Sequence, residues 1–150
     1  MTGEEAYEKY ADELMRFATS LVGPSDASDV VSEAVIRCVY SKSWPSVQNP
    51  RAYLHRAVLS EARRLGLSAR RRRAREERTA PREAVLPPDV RTDVIDAVRS
   101  LSVQQRAVTY LTYWCDLTPA DVSSLLAISE GAVKRHLARA RSRLRKVLDE

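Results

Sequence analysis

From Thr118 to Arg145 the chain reads TPADVSSLLAISEGAVKRHLARARSRLR, and this stretch decides the fold. Thr118-Pro119-x-Asp121 is a helix start, with a hydroxyl cap, a proline in the first turn and a carboxylate three residues on. A short helix, Pro119 to Leu126, is followed by the three-residue turn Ala127-Ile128-Ser129. Ser129 then caps a long helix that runs to about Leu148. Val122, Leu126, Ile128, Val133 and Leu137 fall where a helix-turn-helix needs apolar contacts to lock its two helices together. In the second helix Val133, Leu137, Ala140, Leu144 and Val147 recur at spacings of 4, 3, 4 and 3, one narrow buried stripe. Ala127 occupies a turn position where many such motifs have glycine, so a slightly strained turn is expected.

Seven cations, Lys134, Arg135, Arg139, Arg141, Arg143, Arg145 and Lys146, all fall off that stripe. At about 100° per residue they spread over the outer half of the helix. From Gly131 to Val147 there is no acidic residue to balance them. The plainer reading is a solvated polar face, but such faces usually carry both signs. Like charges at i,i+4 cost about 0.2–0.5 kcal/mol per pair, and a polyanionic partner removes that cost. DNA binding is therefore expected here. The motif alone does not say which kind of DNA-binding protein carries it, since a response-regulator output domain looks similar.

Further toward the N-terminus every periodic segment again reads as helix. Arg91 to Ser100 is a short one, and Ser102-x-x-Gln105 is a capping box opening another that reaches about Trp114. The first helix runs from about Glu4 to Leu21, with Tyr7, Tyr10, Ala11, Leu14, Phe17, Ala18 and Leu21 at helical spacing. Gly23-Pro24 ends it. A second helix begins near Ser25 and turns Ala27, Val30, Val31, Ala34, Val35, Cys38 and Val39 inward. Asn49-Pro50 opens a third, whose apolar side is Tyr53, Leu54, Ala57, Val58 and Leu65. Residues 70–88 differ in composition: seven arginines, three glutamates and prolines near the exit read as a flexible basic linker. No strand-like alternation survives. The expected architecture is all-α, two small helical domains at 1–69 and 91–150 joined by a linker at 70–90.

The bulk numbers agree. A chain of 150 residues, 44% hydrophobic, suffices for two compact cores, and its formal charge of +5 leans toward polyanionic partners. No run of 18 apolar residues marks a membrane span. Glu4, Glu5, Glu8, Asp12 and Glu13 are unlike a signal peptide, so a cytoplasmic protein is expected. Cys38 and Cys115 lack metal-ligand spacing and read as two buried small hydrophobes, not as a zinc site or disulfide. With two histidines, no Gly-rich phosphate loop and no nucleophile motif, nothing points to an enzyme, a cofactor, a metal or a small-molecule substrate.

The order of the parts narrows the choice. The run Leu14 to Ala34, LMRFATSLVGPSDASDVVSEA, resembles the second domain of extracytoplasmic-function (ECF) sigma factors, as does Asn49 to Arg56, NPRAYLHR. Ile128 to Arg145, ISEGAVKRHLARARSRLR, is similar to that group's fourth domain. The resemblance implies a dissociable promoter-specificity subunit of bacterial RNA polymerase. Its second domain would bind the polymerase core and open the minus-ten element, and its fourth would bind the minus-thirty-five element. In many cases the family also implies a cognate anti-sigma protein.

Carried onto this sequence, the resemblance assigns Asp26, Asp29, Val30, Glu33, Ile36 and Arg37 to the polymerase. The acidic residues at i, i+3 and i+7 would steer and register the helix against a basic surface; taken as chemistry alone they are an ordinary solvated face. It assigns Trp44, Asn49, Arg51, His55, Arg56, Ser60, Arg63 and Arg64 to the minus-ten strand. There arginines take phosphates and the Ser41–Gln48 loop holds a base drawn from the stack. For Trp44 and Tyr53 stacking on bases competes with core packing, and packing is the preferred reading. In the last helix Lys134, Arg135, Ala138 and Arg139 align with positions facing the major groove, while Arg141, Arg143 and Arg145 would sit on phosphates. Ser129 and Glu130 lie at that helix's N-terminus, where backbone amides meet a phosphate, and His136 is expected to pack. Ser32 and Ser60 stand where the family commonly has Gln and Asn, so the promoter sequence is not carried over. The Arg70–Arg73 run either tracks single-stranded DNA or keeps the linker soluble. The nearest rival is a stand-alone helix-turn-helix regulator that binds duplex DNA without polymerase.

Overall fold

Caps punctuate the chain where the sequence places them. The computed structural model describes residues 1–76 and 90–149. Helix α1 (Gly3–Val22) starts in a capping box between Thr2 and Glu5, and Gly23 ends it with φ +86° and ψ 168°. That backbone region is almost confined to glycine, and Pro24 immediately opens α2 (Pro24–Val39). A 3-10 turn, Trp44–Ser46, leads to α3 (Pro50–Glu76). The Asn49 side chain accepts the Ala52 N–H at 3.1 Å there.

The C-terminal half comprises α4 (Val90–Arg99), α5 (Val103–Thr109), α6 (Pro119–Leu126) and α7 (Glu130–Leu148). The Ser102/Gln105 and Thr118/Asp121 capping boxes both form, and Ser129 accepts the Ala132 N–H at 3.1 Å. Ala127 sits in the left-handed region at φ 56° and ψ 44°, so the turn between α6 and α7 has a backbone that usually takes glycine. Among the described residues there is no strand.

Three differences from the sequence reading have physical causes. The helix expected to reach Trp114 is α-helical only to Thr109 and closes in a wider π turn, Tyr110–Trp114. The chain expected to loosen at residue 70 stays helical to Glu76, because Leu67 to Glu76 holds good helix formers and no Pro or Gly. The remainder of the expected linker, residues 77–89, lies outside the described residues. Cys115 is exposed while Cys38 is buried; burial pushes the Cys38 thiol up to about 11, away from the reactive thiolate.

Helices α1, α2 and α3 pack on one another; α5 and α6 pack on α7; and α3 meets both α5 and α6. Phe17, 1% exposed, lies at the join, with its ring 5.1 Å from His55 and 6.2 Å from Tyr110. Of the expected apolar face of α1, Tyr7 is exposed and Ala6 is buried beside it.

Candidate nucleic-acid interface

Helix α7, expected to meet DNA, is built as a lever on the core. Val133, Leu137 and Ala140 on its inner side are buried, Val133 and Leu137 in one core with Val122, Leu125 and Leu126 of α6, while Leu144 and Val147 toward its end are half-buried. The seven cations are all exposed, and among the described residues none of them is paired with a carboxylate. They divide between two flanks. Arg139, Arg143 and Lys146 line a shallow groove of about 320 Å³ with Ser100 and Gln105 of the α4–α5 corner. Arg135 falls on the same side as these three, while Lys134, Arg141 and Arg145, with Ala138 among them, follow the other flank, roughly 130° away at 100° per residue.

Glu130 in the first turn and the Ser129 cap leave the start of α7 open to solvent. His136 is half-buried, and its Nδ1 has no hydrogen-bond partner among the described residues. Burial lowers its pKa, and the neighbouring Arg139, Arg135 and Arg63 lower it further.

The α3 residues fare unequally. Arg56, Ser60 and Arg63 share one face and are exposed. The Arg51 guanidinium is held by Glu13 of α1, with Nε–Oε1 2.6 Å and Nη2–Oε1 2.5 Å; this hydrogen bond raises its pKa further. His55 is 1% exposed, with Nδ1 2.7 Å from the Arg51 carbonyl and Nε2 3.4 Å from Glu13. In this arrangement His55 is a packed residue behind the face, not a group presented to a strand. Trp44, 8% exposed, stands edge-on to Tyr53 at 6.1 Å, which is the packing role preferred for both.

The arginine fork of Arg56 reaches α6, donating from Nε to the Leu125 carbonyl at 3.0 Å and from Nη2 to the Ser124 carbonyl at 2.8 Å. Arg64 and Arg37 both meet one carboxylate, Glu61, at 3.6 Å and 3.0 Å. Glu61 thus ties Arg64, expected to face the minus-ten strand, to Arg37, expected to face the polymerase. The sequence reading passed over it because a lone acid on a basic helix gives no periodic signal.

On α2, Asp26, Asp29, Glu33, Ile36 and Arg37 are exposed, whereas Val30 is 4% exposed and belongs to the core. Val30 was expected in two roles, and its place in the bundle settles them in favour of packing. Tyr40, 83% exposed, extends the Asp29–Glu33–Ile36 face by one turn. Its signal was there in the sequence: eleven residues after Asp29 is about three helical turns.

A family model described as sigma-70, region 4, matches residues 86–144. An RNA polymerase sigma-E factor of Streptomyces antibioticus is 30% identical, over 97% of this chain and 84% of that protein. The ECF RNA polymerase sigma factor SigL of Mycobacterium tuberculosis is 31% identical, over 96% of this chain and 87% of SigL. Among solved structures, the sigma factor RpoE in complex with the anti-sigma factor NepR from Bartonella quintana aligns with a TM-score of 0.63 and 22% identity, over 97% of this chain and 96% of RpoE. CnrH in complex with the cytosolic domain of CnrY aligns with a TM-score of 0.61 and 23% identity, over 98% of this chain and 87% of CnrH. At those identities the two structures speak for the fold.

Proposed function

This chain belongs to the ECF group of RNA polymerase sigma factors, and from that premise we propose how its residues divide the work. It is a promoter-specificity subunit that joins core RNA polymerase and directs initiation. Residues 1–69 take the polymerase and the minus-ten element, 91–150 take the minus-thirty-five element, and 70–90 connect them.

The observation that carries the assignment is charge segregation by helix. Helix α7 exposes seven cations without an acid between Gly131 and Val147, while α2 exposes Asp26, Asp29 and Glu33 on one face. A surface built for DNA and a surface built for a basic protein patch need opposite signs on separate elements. Lys134, Arg135, Ala138 and Arg139 are assigned to base edges, Arg141 and Arg143 to phosphates, and Ser129 and Glu130 to the helix entry. Asp26, Asp29, Glu33, Ile36 and Arg37 are assigned to the polymerase. Asn49, Arg51, Arg56, Ser60, Arg63 and Arg64 are assigned to the minus-ten strand, with Trp44 and His55 supporting from behind.

Two further parts of the proposal rest on kinship. Its relatives are sigma factors, which are not enzymes, and this chain is read as non-catalytic and as working in the cytoplasm beside its polymerase. No described helix is long and apolar enough to cross a membrane. One structural neighbour, RpoE, is in complex with an anti-sigma factor, and a partner of that class is proposed here too.

Two paired variants test the division. Asp29→Lys with Glu33→Lys should abolish core binding, whereas Arg135→Ala with Arg139→Ala should keep core binding and lose promoter selection. Wild-type initiation by both pairs contradicts the assignment.

A further inference from the structure

Arg56 uses its guanidinium inside the molecule on a surface that the proposed function gives to DNA. Helix α6 ends at Leu126, and the last carbonyls of a helix have no intrahelical donor. The turn answers one of them: Ser123 O accepts from both Ala127 N and Ile128 N. The next two, Ser124 O and Leu125 O, are answered from 68 and 69 residues away by the Arg56 fork. A cation at the C-terminal end of a helix also meets the negative end of its dipole. This contact does not stand alone. Phe17 and Tyr110 approach at 6.2 Å across the same junction, and α1 and α3 both pack on α5.

We propose that Arg56 is an intramolecular latch: by capping α6 it holds the chain closed, in a state that cannot read a promoter, and its release precedes promoter binding. This inference rests on the proposed function in one respect, that the two halves read the minus-ten and minus-thirty-five elements. Those elements lie about 25 base pairs apart by their own numbering, which at 3.4 Å per base pair is about 85 Å of duplex. In the closed chain the α3 face and the end of α6 are 2.8 Å apart. One molecule cannot keep that contact and span that distance. The two uses of the fork also compete, because the Nε and Nη2 edge that holds the carbonyls is the edge a phosphate would take bidentately.

The closed state carries its own opposing force. It brings Arg63 of α3 within electrostatic reach of His136 of α7, on which Arg139 and Arg135 also act, with no carboxylate paired to these arginines among the described residues. Closure therefore sets like charges against packing and the latch, and a surface that draws the two basic faces apart gains that repulsion back.

The test uses the full chain and core RNA polymerase without DNA. If only a fraction of molecules is open, apparent affinity for core is reduced by that fraction, and removing the latch restores it. Arg56→Gln should bind core about three- to tenfold more tightly than wild type. It should also scatter X-rays as a larger particle than wild type, whose radius of gyration should lie near the roughly 15 Å of a compact chain of this length. Arg56→Lys, which keeps the charge but not the fork, should fall between them and decides the matter if the Gln variant does not fold. Unchanged or weaker core binding by folded variants, with an unchanged radius, overturns the latch. If wild type and variants alike ignore core polymerase, the functional reading fails, and the latch is then judged by the scattering alone: an equal radius overturns it and an enlarged one supports it.

Discussion

Gly23 and Ala127 occupy the two backbone conformations that test the turns most sharply. Gly23 has φ +86° and ψ 168°, and although nothing lies within 4 Å of an added Cβ, the dihedrals themselves exclude one. Gly23→Ala should cost about 1–3 kcal/mol in chemical denaturation. Ala127, at φ 56°, is strained in the opposite sense. Ala127→Gly should be stabilising by up to about 1 kcal/mol, because the relieved strain slightly exceeds the added entropy of the unfolded chain; a loss of stability contradicts the left-handed turn. Both positions were legible in the sequence, one as Gly-Pro and the other as an alanine where glycine is usual.

His55 was not legible. Its burial comes from Phe17, Glu13 and the Arg51 carbonyl, partners set by α1 packing on α3 and invisible to periodicity. Burial pushes its pKa below the usual imidazole value, against the hydrogen bond to the Arg51 carbonyl and the charge of Glu13, which pull the other way. The unfolded imidazole accepts a proton near 6.5, and the folded one only at lower pH. Between those values the unfolded state binds more protons, so this contribution to stability is complete above about pH 6.5 and is lost as pH falls below it. Melting temperatures from pH 7.5 to 5 should drop less steeply for His55→Gln than for wild type, although His136 adds a slope of the same sign. Parallel curves contradict a buried neutral His55.

At the scale of the helix, α7 carries a charge pattern that the sequence displays almost completely. A stripe at spacings of 4, 3, 4 and 3 fixes the buried side, and what remains must face outward. The two flanks were harder to separate, because only the fold sets the α4–α5 corner beside Arg139, Arg143 and Lys146. If Arg141 sits on a phosphate, Arg141→Ala should weaken promoter binding uniformly across sequences and flatten the log–log salt dependence by about one unit. Arg135→Ala should instead relax discrimination at one base position, by about 1–3 kcal/mol. A uniform loss from Arg135→Ala moves that residue to the backbone-contacting set. Caps were read correctly for α3, α5, α6 and α7, since each depends on residues within three positions. The π turn at Tyr110–Trp114 was not; it begins at Tyr110, whose ring lies 6.2 Å from Phe17 of α1, a neighbour no local spacing reveals.

Across the whole molecule, what was legible was order, and what was not was pairing. The all-α class and the helix-turn-helix follow from local spacing. The bonds of Arg56 to Ser124 and Leu125, of Arg37 to Glu61, and of Arg51 to Glu13 span 24 to 69 residues, and no local pattern encodes them. These pairings change the picture of the surface proposed to face the minus-ten strand: three of its arginines are already engaged, one by α1, one by α6 and one by a shared carboxylate. On the proposed assignment, a promoter must compete with each of them.

The measurement that bears most directly on this account is transcription from a promoter library by core RNA polymerase, with and without the full chain. Initiation from a defined subset of promoters only when the chain is present, lost in the Arg135→Ala, Arg139→Ala variant, is the predicted result. Sequence-specific duplex binding by the chain alone, with no initiation upon adding core polymerase, contradicts it and makes the chain a stand-alone regulator.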